Sequence, residues 1–365
     1  MIQLLEIITC SSLFIWLIYE LISMIKISGY KPESGSTEHP VSVIVCAHNE
    51  LNNLKRLIPK ILDQQHTNFE LIIVDDRSDD GTYDYLLEAQ SEQLKLVRVD
   101  QVHDHINAKK YALTLGIKAA KNDILLHTDA DCEPASELWI QSMTNRFNTD
   151  TQFVLGVSQY QKNKGFLSHF IRFETIKTAI NYVGFALAGN PYMGVGRNLA
   201  YRKSYFLANK GFNKIQHITG GDDDLLINQY ATKGNTQLAL GNDALTYSHP
   251  KESWSDYRFQ KTRHWAVGKF YSAKDKILLG LQNLANLIFW VSLIILATQT
   301  EDYILPIGLF VFRLLFVTIL NKIASKKFGD RMNIWIVPIL DILYVGYASL
   351  FGTAALLTKK VKWKK

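Results

Sequence analysis

Acidic side chains recur in this 365-residue chain at spacings suited to holding a cation or accepting a proton. Asp129-Ala130-Asp131 presents two hard oxygen donors two residues apart. At a strand end, residues i and i+2 lie on one side, so both carboxylates can approach one ion. Carboxylates with water suit Mg2+ or Mn2+, which usually also take substrate phosphates. The same pair would equally suit a solvated turn. Gly220-Gly221-Asp222-Asp223-Asp224-Leu225-Leu226 sets three consecutive acids at the start of a helix expected over 225–230. An N-cap with acids complementing the helix dipole explains one of the three well. Crowded carboxylates raise one another's pKa, which is what a general base near neutral pH requires. Gln260 and Arg263, three apart on a basic stretch, share a helix face and can reach a diphosphate. That stretch, 253–274, also reads as an interfacial helix with Trp254, Tyr257, Trp265 and Tyr271 at the headgroups. Gly194-Val195-Gly196-Arg197-Asn198 is either a loop that admits backbone to a substrate or an ordinary turn.

Strands must carry these groups. Val41 to Cys46 is a short, β-branched, continuous apolar run, the pattern of a strand covered on both faces. The alternation continues with a helix over 54–64, a strand over 71–74, a strand over 94–99, a helix over 109–120 and a strand over 124–128. Such alternation predicts a mostly parallel sheet with helices on both faces, with ligands beyond the carboxyl ends of the strands. Polar residues cluster at those ends: Asn49 and Glu50, Asp75 and Asp76, Asp129 and Asp131. No GxGxxG follows the first strand and no GxxxxGK[ST] occurs, which disfavours a dinucleotide site or a P-loop.

Composition separates this middle from the ends. A mean hydropathy of −0.02 averages an ordinary globular region with long apolar runs on either side. Three cysteines exclude a disulfide-built scaffold, and the apolar runs exclude intrinsic disorder and a wholly soluble enzyme. Residues 2–27 are long enough to cross a bilayer, and they lack the basic start and the small-residue cleavage site of a signal peptide. Lys26 and Lys31 then place the globular middle in the cytosol. Three more apolar stretches run over 277–297, 303–320 and 334–357. A full crossing by the last would leave the lysine-rich tail outside, against the charge rule, and Pro338 and Asp341 point to a broken, re-entrant or interfacial segment. From residue 322 onward nine Lys and Arg face two Asp, a surplus of seven that exceeds the net +6 of the whole chain. A basic patch beside apolar helices suits anionic membrane lipids rather than nucleic acid.

Taken in order, these motifs resemble the inverting, membrane-associated family 2 glycosyltransferases of GT-A fold, the group that includes cellulose and hyaluronan synthases. The likeness covers about residues 39–272 and the flanking membrane helices. It runs through Val41 to Glu50, Val74 to Thr82, Lys109-x-x-Ala112-Leu113, Asp129-Ala130-Asp131, the acid cluster and Gln260-x-x-Arg263. The resemblance implies that Asp76, with Asp75, contacts the nucleotide base, and that Ala47, Asn49, Glu50 and Lys109 line the nucleotide pocket. It gives Asp129 to the ribose or the metal and Asp131 to the cation bridging the diphosphate, with Gln260, Arg263 and His264 on the donor. A glycine about eleven residues beyond the catalytic Asp selects Asp223, leaving Asp222 at the companion acid position; alignment on the following Asp-Leu selects Asp222 instead. The chain departs from the family at Ala108, where Gly is common, and at His264, where processive synthases have a Trp that helps hold the acceptor chain.

The expectation is therefore an α/β, GT-A nucleotide-diphospho-sugar transferase domain with N- and C-terminal transmembrane helices. Residues 1–30 would be an anchor, 35–252 the cytosolic catalytic domain and 253–275 an amphipathic interfacial segment. Residues 276–365 would form two or three membrane helices with a basic tail. The expected activity is metal-dependent (Mg2+ or Mn2+) transfer from a nucleotide-diphosphate sugar to a hydroxyl of a lipid-linked acceptor, by a multi-pass cell-membrane protein whose catalytic domain faces the cytoplasm. The alternative within the family is a processive polysaccharide synthase. A non-catalytic scaffold would have to lack a chemical residue, and phosphoryl transfer to a lipid leaves the Asp76 region and the Gln260/Arg263 pair without a purpose.

Overall fold

The first strand is buried at every position but Cys46, and the second at all seven. Strands so covered need helices on both faces, and burial of each Val or Ile contributes about 1.5–3 kcal/mol. The computed structural model describes residues 1–31, 38–101 and 103–358. The expected basic tail, Lys359, Lys360, Lys362, Lys364 and Lys365, lies outside them. The chain falls into two units: residues 31–163 with 189–250, and residues 1–30 with 164–188 and 251–358. The stretch 164–188 thus groups with the terminal helices, although it interrupts the α/β sequence.

In the α/β unit the strands are β1 (Val41–Ala47), β2 (Phe69–Asp75), β3 (Leu94–Arg98), β4 (Ile124–Asp129), β5 (Cys132–Pro134), β6 (Phe153–Leu155), β7 (Ser158–Tyr160), β8 (Leu199–Arg202), β9 (Thr236–Leu238) and β10 (Thr246–Ser248). Seven form one sheet in the order β3-β2-β1-β4-β8-β6-β9, and β5-β10-β7 form a second. Within the large sheet β8 runs antiparallel to both β4 and β6, and the remaining pairs are parallel. The sheet is mostly parallel, as the alternation predicts. Register brings the polar strand ends level: Asp75 pairs with Ala47, and Asp129 with Cys46.

The helix Ala108–Ala119 begins on that same side. Asn107 caps it by accepting from the Lys110 N–H at 3.4 Å. Its close seat depends on Gly116, where a Cβ would come within 2.8 Å of Val74 and 3.0 Å of Ile44. No side chain fits there without shifting the helix off the sheet, and with it the lysines of its first turn.

Among the described residues four helical segments are long and apolar enough to cross a membrane: Ile2–Gly29, Ala273–Gln299, Ile304–Lys327 and Ile334–Leu357. The last is not broken at Pro338, which sits in the first turn of Val337–Tyr347, where its missing N–H costs no helical bond. It does change winding, through a π-helical stretch at Ala348–Gly352. Asp341 is fully buried, with Lys177 at 3.0 Å and Arg313 at 2.9 Å. Arg313 also donates to Asn286 (2.9 Å) and lies 3.9 Å over the Trp16 ring. Lys177 belongs to the helix Phe166–Leu187, so one carboxylate joins that helix to two apolar ones.

The segment expected to be an amphipathic interfacial helix forms Trp254–Val267, capped by Ser253. Its buried stripe is Tyr257, Lys261, Ala266 and Val267 rather than an apolar face, and the Lys261 ammonium meets Glu174 at 2.5 Å. Asp341→Ala is expected to leave two buried cations without their anion and to cost about 3–5 kcal/mol. Thermal unfolding of the detergent-solubilised protein measures this, and a change under 1 kcal/mol would contradict the assigned packing.

Candidate active site

Lys109, in the first turn of Ala108–Ala119, reaches two acids from distant parts of the chain. Its Nζ lies 3.1 Å from Asp129 Oδ1, at the end of β4, and 3.0 Å from Asp222 Oδ2. Asp223 follows directly as the N-cap of Asp224–Tyr230. Asp223 Oδ2 accepts from the Gly196 N–H at 2.6 Å, and Oδ1 from the Asp224 N–H at 2.8 Å. Together with Cys46, Leu113, His127, Thr128, Leu199 and Tyr201 these groups line one cleft.

The two neighbouring acids are driven apart in proton affinity. Burial pushes the Asp222 carboxyl up, but Lys109 and Lys110 outweigh it and hold it below the usual carboxylate range. Burial and the charge on Asp222 push Asp223 the other way, and Lys109 with the two backbone N–H donors only partly offsets them. Burial opposes the charge on Lys109, yet Asp129, Asp222 and Asp223 hold its ammonium well above the ordinary lysine value. The cleft thus contains an ionised acid, a fixed cation and a second acid of raised basicity. Environments that push neighbouring titratable groups apart are typical of acid–base chemistry.

The remaining predicted residues take varied places. Ala47 is buried at the end of β1, and its carbonyl accepts from the Asp76 N–H at 2.8 Å. Asn49, at a left-handed φ of 59°, donates its N–H to Ser78 Oγ (2.9 Å) and accepts from the Asp79 N–H (2.9 Å). The Glu50 N–H donates to Thr82 Oγ1 at 3.1 Å, so both residues knit the β1 loop to the loop after β2. Asp76 Oδ1 is taken by Arg77 Nε at 2.8 Å. Both Asp75 carboxylate oxygens are buried and have no hydrogen-bond partner among the described residues. Gln260, Arg263 and His264 lie on Trp254–Val267, in the helical unit.

Asp131 lies beyond the end of β4, so strand alternation does not relate it to Asp129: the chain turns at Ala130–Asp131 into β5, and the Cys132 thiol approaches Asp131 Oδ1 at 3.5 Å. The pair still supplies oxygen donors only, and both residues are partly exposed. Among the described residues no group of three or more His, Cys, Asp or Glu side chains is placed to hold a metal. This donor set fits Mg2+ or Mn2+ when diphosphate and water complete the shell.

Sequence reasoning left several participants without a role. His127 stacks on Tyr201 (centroids 4.5 Å apart, planes at 15°), and burial lowers its imidazole to about 3, so it is neutral at physiological pH. A single histidine within the apolar run Ile124 to Thr128 was its only signal. The Gly194 to Asn198 segment is not an ordinary turn. Besides the Gly196 N–H, it offers the Arg197 carbonyl to Thr128 Oγ1 (3.0 Å) and Thr246 Oγ1 (3.1 Å). Buried Asn198 donates to the Val157 and Ala244 carbonyls at 2.8 and 2.7 Å.

Lys109→Met is expected to destabilise the α/β unit by about 2 kcal/mol, less than for a fully buried pair because Asp129 is partly exposed. The folded Asp222 binds its proton more weakly than usual, so its share of the stability is present above about pH 4 and lost as pH falls below it. Lys109 is shifted upward, so its share persists to beyond about pH 10. The difference from wild type in chemical denaturation should be flat from pH 5 to 9 and narrow below 4; a gap that widens on acidification would contradict the pairing.

Comparison with known proteins agrees with this architecture. Residues 42–208 match the family model described as Glycosyl transferase family 2. A 117-residue stretch is 32% identical to the 4,4'-diaponeurosporenoate glycosyltransferase of Staphylococcus haemolyticus, covering 32% of this chain and 31% of that one. Another, of 101 residues, is 32% identical to the undecaprenyl-phosphate 4-deoxy-4-formamido-L-arabinose transferase of Aeromonas hydrophila, covering 27% and 30%. A third, of 124 residues, is 30% identical to the dolichol-phosphate mannosyltransferase of Pyrococcus furiosus, covering 33% and 34%. The chain spans about a third of the length of these curated relatives. Among solved structures, a mannosyltransferase from Pyrobaculum calidifontis in complex with GDP-Man and Mn2+ superimposes with a TM-score of 0.62 over 96% of this chain and 99% of the other. At 15% identity this is a likeness of fold. The α/β, GT-A-like sheet and the family match over residues 42–208 together support a family 2 glycosyltransferase domain in this chain.

Proposed function

We propose that the chain is a membrane-bound, inverting glycosyltransferase that moves one sugar from a nucleoside diphosphate donor to a hydroxyl of a lipid-linked acceptor. The observation that carries this reading is the split between two adjacent acids in one cleft, Asp222 held ionised by Lys109 and Asp223 made more basic than an ordinary carboxylate. A hydroxyl acceptor needs such a base, whereas a phosphate acceptor is already ionised at neutral pH.

In the proposed step the acceptor oxygen attacks the anomeric carbon from the face opposite the diphosphate. Its proton passes to the Asp223 carboxylate as the new C–O bond forms. The anomeric C–O bond to the diphosphate breaks, and its electron pair leaves with the nucleoside diphosphate. One displacement inverts the anomeric centre, so one base suffices. The N–H groups of Gly196 and Asp224 orient Asp223, and Lys109 supplies positive charge that need not reorganise during reaction. When bound to Asp131 and Asp129, a divalent cation would neutralise charge on the leaving diphosphate. Ala47, Asn49, Glu50, Asp75 and Asp76 are assigned to the nucleotide, and the unpartnered Asp75 carboxylate suits a donor group of the base. Gln260, Arg263 and His264 are assigned to the donor on the family resemblance.

Two relatives are named for a polyprenyl phosphate, undecaprenyl or dolichol, which supports a lipid as the carrier of the acceptor here; the choice of a hydroxyl over a phosphate on it rests on Asp223 alone. Four apolar helices among the described residues support a multi-pass protein, and Lys26 with the basic stretch 322–331, at the end of Ile304–Lys327 and beyond it, supports a cytosolic active site. His264, where processive synthases have Trp, favours single transfer over polymer synthesis.

Membranes carrying the protein would be incubated with radiolabelled UDP-glucose, UDP-N-acetylglucosamine and GDP-mannose, with Mn2+ or EDTA. The expected outcome is metal-dependent label that partitions into organic solvent. Asp223→Asn should lower transfer by about 10²–10⁴-fold while donor binding persists. Label retained in a long water-soluble polymer would instead support the processive reading. Full turnover by both Asp223→Asn and Asp222→Asn, each alone, would reject the base assignment.

A further inference from the structure

Lys110 is the neighbour of the lysine that pairs with the acids, yet its side chain has a different set of partners. It is fully buried, and its ammonium donates to the carbonyls of Ile218 (2.6 Å) and Gly220 (2.5 Å). Those carbonyls belong to the loop immediately before the acid pair. Successive residues on a helix point about 100° apart, so the first turn of Ala108–Ala119 holds this loop by two separate grips. Lys109 takes the Asp222 carboxylate, and Lys110 takes the backbone that leads to it. Next to them the Asn107 N–H donates to the Gln216 carbonyl at 2.7 Å.

The loop needs such an anchor. Gly220 and Gly221 both have left-handed backbone, φ 80° and 72°, a conformation that glycine adopts without strain and that no side chain stabilises. The direction in which the chain leaves this turn decides where Asp222 and Asp223 stand. A buried ammonium is a costly anchor, because its two carbonyl partners satisfy hydrogen bonds without neutralising charge. Its counter-charges are Asp222 and Asp223, one turn of chain further on. A methionine would fill the same volume without that cost, so the buried charge itself is the feature to be explained.

We propose that Lys110 is a positioning residue for glycosyl transfer: by clamping the Ile218 and Gly220 carbonyls it fixes the Gly220–Gly221 turn and so the place of the Asp223 carboxylate. It touches neither donor nor acceptor and acts only through the acid pair. The proposal rests on the reading of Asp223 as the base. The charged and titratable groups around that base are Asp222, Lys109, Lys110 and Tyr201. Loss of the Lys110 charge therefore leaves Asp223 more exposed to the repulsion of Asp222, and its proton is held more tightly.

The test compares full-length wild type, Lys110→Met, Lys110→Gln and Asp223→Asn. Hydrogen–deuterium exchange without ligand should show faster exchange of the 216–224 amides in Lys110→Met. Lys110→Gln, which keeps a donor but no charge, should be intermediate. With whichever of the three labelled sugar nucleotides is turned over, Lys110→Met should lower kcat by about 10- to 100-fold, with donor KM changed less than threefold. The acid limb of its kcat/KM profile should move to higher pH, which mere loosening of the fold would not produce. Unchanged exchange in the loop, or wild-type kcat and acid limb in Lys110→Met, overturns the proposal. If Asp223→Asn is inactive in that case, the base assignment survives and only the role of Lys110 fails. If Asp223→Asn is fully active, the base assignment fails whatever Lys110 does. Should neither lysine variant fold, Gly220→Ala carries the test: it strains the same turn with the lysine in place and must lower kcat, and wild-type kcat there overturns the proposal.

Discussion

One ammonium shared by two carboxylates organises the cleft of the α/β unit. Lys109 lies about 3 Å from Asp129 and from Asp222, which are 93 positions apart in the chain. Without that cation the two carboxylates that flank it would repel each other, which favours protonation of one of them. With it, Asp222 stays ionised, and its negative charge makes Asp223 a better base. The rest of the α/β unit can be seen as the means of holding that lysine in place. Parallel register aligns the strand ends, Gly116 seats the helix against Val74 and Ile44, and Asn107 caps its first turn.

The helical unit solves the inverse problem. There one carboxylate, Asp341, is shared by two cations, Lys177 and Arg313; Asp341 and Arg313 are fully buried, and Lys177 is partly so. Ionisable groups among membrane-type helices are costly and need partners. This set connects Phe166–Leu187, from the middle of the chain, to Ile304–Lys327 and Val337–Tyr347. A helix inserted between strands of the catalytic sheet thereby becomes part of a different unit.

Much of this was legible in the residues. Continuous apolar runs marked β1, β2 and β4 to within two residues, because a strand covered on both faces needs no alternation to betray it. The acids at their ends were equally plain. Three-residue strands such as β5, β7 and β10 carry too few side chains for any period, and they are defined by long-range pairing alone. Asp131 was placed by an alternation that stops at Asp129, where the chain turns. Phe166 to Leu187 is an apolar run whose composition does not say what it packs against; only its contacts do. Lys110 was invisible for a simpler reason: adjacent lysines look alike in sequence, and only burial separates one that meets acids from one that meets carbonyls.

The central claim is that the carboxyl ends of β1, β2 and β4, with the acid pair, form the place where a sugar nucleotide reacts. The most direct measurement is a structure of the full-length protein with a non-hydrolysable nucleoside diphosphate sugar and Mn2+. The diphosphate is expected within reach of Lys109 and the Asp129/Asp131 pair, and the anomeric carbon facing Asp223. A donor bound elsewhere, or one whose anomeric carbon faces away from Asp223 with Lys109 still locked to both acids, would contradict that claim.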